Sequence, residues 1–336
     1  MKHALGATLL VASLVVQVAT SGPAGACPTA SQRIGGGDRI DTAVLASQAG
    51  FGAGGSAKGA VLATAAAFPD ALAGGPLAAH ATGPLLLTGA AGLDRRTADE
   101  LRRAVAPGAV VYLLGGLSAL SAGVEASVRQ LGFVARRLAG ADRYTTAVAV
   151  AHELGDPPVA YLATGVDFPD GIVAGAVAGR HPGAIVLSVG DQLPPATADY
   201  LTTKVTVYAF GDQAAKALPR ATAVAGADRY ATALAAAKRF FGSTGGLPLD
   251  DSVPRSLAVA TGRNFPDALA GGPYLAAVGG GPLLLSPPDA LPAGVAEYLG
   301  QHAGSLTHAA ILGSADVVSA NVKSDVDRIL ITHCGF

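Results

Sequence analysis

Tryptophan is absent from this 336-residue chain, methionine occurs once, and aromatic residues make up 5% of it. Cores built from such a sequence must pack Ala, Val and Leu, with close backbone approach supplied by its 45 glycines. Charge is scarce as well: 14% of residues are charged and the formal net charge is −1. No basic block stands out, which argues against nucleic acid as a partner. A polyanionic ligand would have to be recognised by locally placed donors, not by the global field. With 50% hydrophobic residues the chain is nevertheless too apolar for disorder.

Signatures of catalysis are missing too. There is no Gly-x-Ser-x-Gly elbow, no Gly-x-x-x-x-Gly-Lys phosphate loop and no His-Glu-x-x-His. His152-Glu153 lacks the second histidine of a zinc helix, and Gly35-Gly36-Gly37 is too loose for a dinucleotide fingerprint. The histidines do not recur at equivalent positions, and His80, His181, His302 and His308 read as surface or loop residues. No catalytic residue, metal site or cofactor is expected.

Lys2 and His3 precede an apolar run from Ala4 to Val18, which Ser21-Gly22-Pro23 breaks before the small residues Ala24-Gly25-Ala26. This reads as a signal peptide over residues 1–26, with an uncleaved anchor as the alternative. The run is short for a membrane span, and no later segment reaches that length. The mature protein is therefore expected outside the cell. Its two cysteines, Cys27 and Cys334, sit at opposite ends and fit a disulfide in an oxidising compartment. The rival reading is lipidation of Cys27, but Ala24-Gly25-Ala26 lacks the Leu expected three positions before a lipidated cysteine.

What the chain does have is internal repetition. Gly36-Gly37-Asp38-Arg39 with Thr42-Ala43 returns as Gly140-Ala141-Asp142-Arg143 with Thr146-Ala147, and as Gly226-Ala227-Asp228-Arg229 with Thr232-Ala233. An arginine five residues before the aspartate, Arg33 and Arg137, is replaced by Ala223 in the third copy. Phe68-Pro69-Asp70 leads into Gly74-Gly75-Pro76, Phe168-Pro169-Asp170 into Ala174-Gly175-Ala176, and Phe265-Pro266-Asp267 into Gly271-Gly272-Pro273. Pro84-Leu85-Leu86-Leu87, Ala184-Ile185-Val186-Leu187 and Pro282-Leu283-Leu284-Leu285 follow, each after a glycine. The copies are assigned to residues 31–134, 135–222 and 223–332, each long enough to be a small domain with its own sheet.

Within a copy, Gly59–Ala63, Pro84–Thr88 and Val110–Leu114 suit strands buried on both faces. Thr97–Val105, with Leu101 and Val105 four apart among charges, and Gly123–Leu131 read as helices. Alternating β and α predicts an α/β fold of parallel sheets flanked by helices, with right-handed crossovers. Copy two is truncated after Gly211, and Gly242–Arg255 reads as a surface insertion in copy three.

Asp38, Asp142 and Asp228 follow a Gly turn and precede helical patterns, so they suit N-caps. Arg39, Arg143 and Arg229 either pair between copies or donate to carboxylate, phosphate or pyruvyl groups of a polymer. Pro next to Asp suits a helix start, so Asp70, Asp170 and Asp267 are placed at positive helix ends, beyond strand termini where open sheets bind ligands. Phe68, Phe168 and Phe265 read as core anchors. The Gly-Gly-Pro runs should kink or restart their helices.

The Asp-Arg-Tyr-x-Thr-Ala, Phe-Pro-Asp-Ala-Leu-Ala-Gly-Gly-Pro and Pro-Leu-Leu-Leu-Thr segments closely resemble the cell wall binding repeat type 2 family, over about Arg33 to Leu330. The resemblance implies three Rossmann-like repeats in a pseudo-threefold triangle. It also implies noncovalent anchoring to an anionic secondary cell-wall polymer or peptidoglycan-associated glycan at the surface of a Gram-positive cell. In that family the Pro-Ile-Leu-Leu-like stretch is implicated in anchoring, which maps to Leu86, Val186 and Leu284 with their neighbours. The candidate ligand-binding set is therefore these three residues with Asp38, Asp142, Asp228, Arg39, Arg143, Arg229, Asp70, Asp170 and Asp267. Copy two departs from the pattern at Gly171 and Ala176 and is expected to be the weakest site. A closed triangle would bring Cys27 within reach of Cys334, in a monomer with internal pseudo-symmetry. Alternative functions are a peptidoglycan hydrolase of the amidase kind and an adhesin or scaffold for a protein partner.

Overall fold

The computed structural model describes residues 27–52, 54–66, 69–242, 253–263 and 266–334. The signal-peptide reading, Phe68, Phe265 and most of the Gly242–Arg255 insertion lie outside them. The first stretch of chain forms β1 (Gln32–Ile34), α1 (Arg39–Gly50), β2 (Ala57–Thr64), α2 (Gly74–His80), β3 (Leu85–Thr88), α3 (Arg95–Ala104), β4 (Val105–Leu114) and α4 (Ala122–Gln130). Next come β5 (Val134–Leu138), α5 (Arg143–Glu153), β6 (Val159–Thr164), α6 (Pro169–Arg180), β7 (Ala184–Ser188), α7 (Pro195–Leu201), β8 (Thr206–Phe210) and α8 (Asp212–Ala217). The last third holds β9 (Thr222–Val224), α9 (Arg229–Phe241), β10 (Ser256–Thr261), α10 (Pro266–Leu269), α11 (Gly271–Ala277), β11 (Leu283–Ser286), α12 (Ala293–His302), β12 (His308–Leu312) and α13 (Ala320–His333).

The strands make three four-stranded parallel sheets, ordered β3-β2-β4-β5, β7-β6-β8-β9 and β1-β12-β10-β11. They are called here the first, second and third sheets. The copies are not self-contained. Each lends its opening strand to the sheet of the copy before it: β5 pairs with β4, β9 with β8, and β1 closes the ring on β12 at the far end of the chain. The helix that follows each lent strand then packs on the next sheet, α1 on β3, α5 on β7 and α9 on β11. Three connectors thus bind three sheets into a cycle, and Cys27 is disulfide-bonded to Cys334 with their Cα atoms 5.7 Å apart.

Strand alternation divides the core. Val61, Ala63, Leu85 and Leu87 face inward to a single apolar core shared by all three units. Leu62 and Leu86 face an outer core under α3 and α4, and the other two sheets repeat the arrangement. The helices α2, α6 and α11 meet pairwise at the centre. Their contact is glycine against glycine: a Cβ on Gly75 would lie 3.2 Å from the Gly175 Cα, and one on Gly272 would lie 3.0 Å from the Gly175 carbonyl. The twice-repeated Gly-Gly-Pro restarts the helix, as proline chemistry favours. In copy one residues Pro69–Ala73 form turns and α2 begins only at Gly74, so Asp70, expected at a helix start, precedes the helix instead. In copy three α10 stops at Leu269 and α11 restarts at Gly271, whereas copy two, with Ala176 in place of proline, runs α6 unbroken from Pro169 to Arg180.

Two sequence readings are corrected. Val105 was expected to continue the helix from Thr97, but the helix ends at Ala104 and Val105 opens β4, drawn into the sheet by pairing with Ala57. His181 and His302, read as surface or loop residues, are buried, 8% and 9% exposed. His181 packs against Phe240 and Phe241, with Nε2 3.0 Å from the Phe240 carbonyl, and the His302 Nδ1 lies 2.8 Å from the Tyr298 carbonyl.

Clefts at the three junctions

The first and second sheets each end in a cleft built from their own strand termini and the connector that leaves them, and the third brings together the same residue types. The cleft of the first sheet, about 340 Å3, is lined by Thr64, Asp70, Gly116, Asp142, Arg143 and Thr146 among others. That of the second, about 250 Å3, has Thr164, Asp170, Gly211, Asp228, Arg229 and Thr232 in the corresponding places. At the third sheet Asp267 meets Asp38, Arg39 and Thr42 of the N-terminal connector.

The connector aspartates are N-caps. Asp38, Asp142 and Asp228 each accept at 2.8 Å from a backbone N–H three residues on, Asp41, Thr145 and Ala231. The arginines reach across the junctions. Arg39, Arg143 and Arg229 donate Nη1 to the carbonyls of Ala65, Gly165 and Gly262, at 2.6, 2.6 and 2.5 Å, just past the central strand of the next sheet. This fixes each guanidinium at a junction. The Arg229 guanidinium also sits 5.7 Å from the Phe168 ring and pairs with Asp167 at 3.1 Å.

Asp70, Asp170 and Asp267 stand at the starts of the central segments with their carboxylates well buried. Burial raises all three above the usual carboxylate range, Asp170 to about 6, where Asp167 adds repulsion and Arg229 opposes it. The hydroxyls of Thr146 and Thr42 offset part of this rise at Asp70 and Asp267. The same hydroxyls, with that of Thr232, accept from the connector amides of Gly140, Gly36 and Gly226. Behind each carboxylate lies the glycine that ends a strand, Gly115, Gly211 or Gly313, all with positive φ. A Cβ there would lie 2.4 Å from an Asp70 oxygen and 1.9 Å from an Asp170 oxygen, so the carboxylate occupies the space a side chain would take.

The leading arginines and the threonines carry parts of this site that the sequence reading left without a role. Arg33 donates to the carbonyls of Gly313 and Val318, and Arg137 to those of Gly115 and Gly116, pinning the loop that follows the neighbouring strand. Copy two has no such loop, because α8 starts at Asp212 directly after Gly211, and the matching strand position is Ala223. The loss of arginine there coincides with the truncation of copy two, which leaves no loop for it to hold. Leu86, Val186 and Leu284 lie elsewhere: they are wholly buried in the outer cores, so any influence on a ligand would pass through the sheet. Among the described residues no group of three His, Cys, Asp or Glu side chains is placed to hold a metal ion. No helix among them is long and apolar enough to cross a membrane.

Three parallel α/β units closed into a ring, with the same residues set at each junction, define a triplet α/β repeat protein. The chain belongs to the Cell wall binding domain 2 (CWB2) family, which it matches over residues 33–125, 137–217 and 223–323. It is 26% identical over 308 residues to the N-acetylmuramoyl-L-alanine amidase LytC of Bacillus subtilis, covering 89% of this chain and 58% of that protein. It is 28% identical over 164 residues to the amidase enhancer of the same organism, covering 49% of this chain and 22% of that one. The fold is that of Cwp6 and Cwp8 from Clostridium difficile, at TM-scores of 0.78 and 0.76 and 21% and 22% identity. These matches cover 91% and 89% of this chain, and 49% and 51% of Cwp6 and Cwp8. The chain thus spans about half to three fifths of LytC and the two Cwp proteins, and less of the amidase enhancer.

Proposed function

We propose that this protein is secreted and binds the cell wall noncovalently, holding an anionic wall polymer at its junction clefts. The observation that carries the reading is the recurrence of one residue set at three junctions of a closed ring, with a cleft at the first two, in a chain of the CWB2 family. Repeated sites on a rigid frame can engage one polymer together, so modest contacts sum to strong retention. Each connector arginine is already oriented by a backbone carbonyl, and so loses little freedom when it meets a phosphate or carboxylate. Binding, not hydrolysis, is the role this arrangement supports: its buried carboxylates are engaged by threonine, glycine and arginine of the junction itself.

Purified walls provide the test. The protein should sediment with them in a salt-sensitive manner. Arg39→Ala combined with Arg143→Ala should lower apparent affinity at least about tenfold, the scale of one or two lost charge-assisted contacts. Retention unchanged by these substitutions in a folded protein would remove the arginines from the site. Absence of sedimentation would overturn the function.

A further inference from the structure

The three junctions share one residue set but do not carry the same charge. In the cleft of the second sheet, Arg229 shares its guanidinium between the Gly262 carbonyl and the Asp167 carboxylate, 3.1 Å away. The matching sequence positions in copies one and three are Ala67 and Asn264, neither of which carries charge. The lining sharpens the contrast. Around Arg229 stand Asp167, Asp170, Asp212 and Asp228, whereas the first cleft sets only Asp70 and Asp142 against Arg143. Lys216 pairs with Asp212 and offsets one of these charges, but Asp167 remains directly on the arginine. Its side chain is 47% exposed and lines the cleft, so it serves no core.

We propose that Asp167 is a specificity-determining residue that closes the cleft of the second sheet to anionic groups, leaving anion recognition to the junctions of Arg143 and Arg39. This rests on the wall-binding reading above and divides its labour. An incoming phosphate or carboxylate at Arg229 would have to displace an internal carboxylate of the same sign and approach three more. The sequence positions that match Asp167 in the other two copies, Ala67 and Asn264, bring no such charge. The ligand contact of the protein is then two-point along the ring, with the third junction serving to hold the frame.

Asp167→Asn tests this without threatening the fold. Asn keeps the side-chain oxygen that accepts from the Phe168 N–H at 2.9 Å and removes only the charge. Glycerol phosphate oligomers serve as the soluble probe, and arginine Nε–Hε resonances report each cleft separately. In the natural chain the signals of Arg39 and Arg143 should move with added oligomer and that of Arg229 should not. In the Asp167→Asn variant Arg229 should join them, and affinity for purified walls should rise about tenfold, one charge-assisted contact being gained. Movement of Arg229 in the natural chain equal to the other two, or its silence in the variant, would overturn the proposal. If none of the three responds while walls are still bound, anion recognition at the clefts is wrong and wall binding stands. If walls are not bound either, both readings fall.

Discussion

The Thr146 hydroxyl offsets part of the upward shift that burial gives the Asp70 carboxylate, across the line where one sheet hands over to the next. The same hydroxyl accepts from the Gly140 amide at 3.1 Å. A single hydroxyl therefore stands between the central segment of one unit and the connector into the next. Thr146→Val, which preserves shape, should destabilise the protein by about 1–3 kcal/mol by leaving the Gly140 amide unpaired. Thermal denaturation reads this directly, and a melting point equal to that of the natural chain would show that the hydroxyl is dispensable.

The glycine junction makes an asymmetric forecast. A Cβ on Gly272 would press on backbone atoms of Gly175 at 3.0 Å, with nothing flexible to yield. A Cβ on Gly175 would meet only the end of Ile185, at 3.9 Å. Gly272→Ala should cost about 1–3 kcal/mol through overpacking. Gly175→Ala should be neutral or stabilising by up to about 1 kcal/mol, since alanine favours the helix. Denaturant midpoints that rank the two variants the other way round would contradict the central packing described above.

Stability should rise as the solution is made mildly acid. Asp170 titrates near 6 in the folded protein against 3.8 for an ordinary aspartate, chiefly because it is buried. Between those values the folded state holds a proton that the unfolded chain releases. Its favourable share is complete below about 3.8 and is lost as pH rises through about 6, an effect of about 3 kcal/mol. Asp70 and Asp267 act in the same direction. Hydrogen bonds from Arg96 hold Asp38 and Asp94 below the usual range, so their contribution disappears as pH falls through and below the ordinary aspartate value. Calorimetry should find a maximum between these regimes, on the acid side of neutrality. Asp170→Asn should flatten the slope between pH 5 and pH 7 and raise the melting point at pH 7; an unchanged slope would place the proton elsewhere.

Loss of the disulfide should be felt at the third sheet. β1 contributes only Gln32, Arg33 and Ile34 to its pairing with β12. Cys27→Ser with Cys334→Ser should lower stability by about 2–5 kcal/mol. It should also speed amide exchange at those three residues more than in β2 or β6. Uniform exchange across the three sheets would mean that β1 holds without its covalent tie.

Much of this was legible in the sequence because it depends on local chemistry. Asp38, Asp142 and Asp228 sit after a turn and before a helix, and they cap it. Proline at 76 and 273 against alanine at 176 separates helices that begin or restart at Gly-Gly-Pro from one that runs unbroken. What stayed hidden was pairing over distance. Gln32 and Arg33 carry no apolar pattern, so nothing in them points to β12, nearly three hundred residues away. Thr146 repeats as plainly as Arg143, but a hydroxyl that stands between two units looks like any other until the units meet. His181 became a core residue because Phe240, from another copy, closed over it.

A pull applied across the two cysteines meets a covalent bond spanning 5.7 Å between Cα atoms, not three units strung in series. Tension entering at these two cysteines therefore bypasses the sheets. The junction clefts carry none of that load, as a link stays round when its two ends are clamped together.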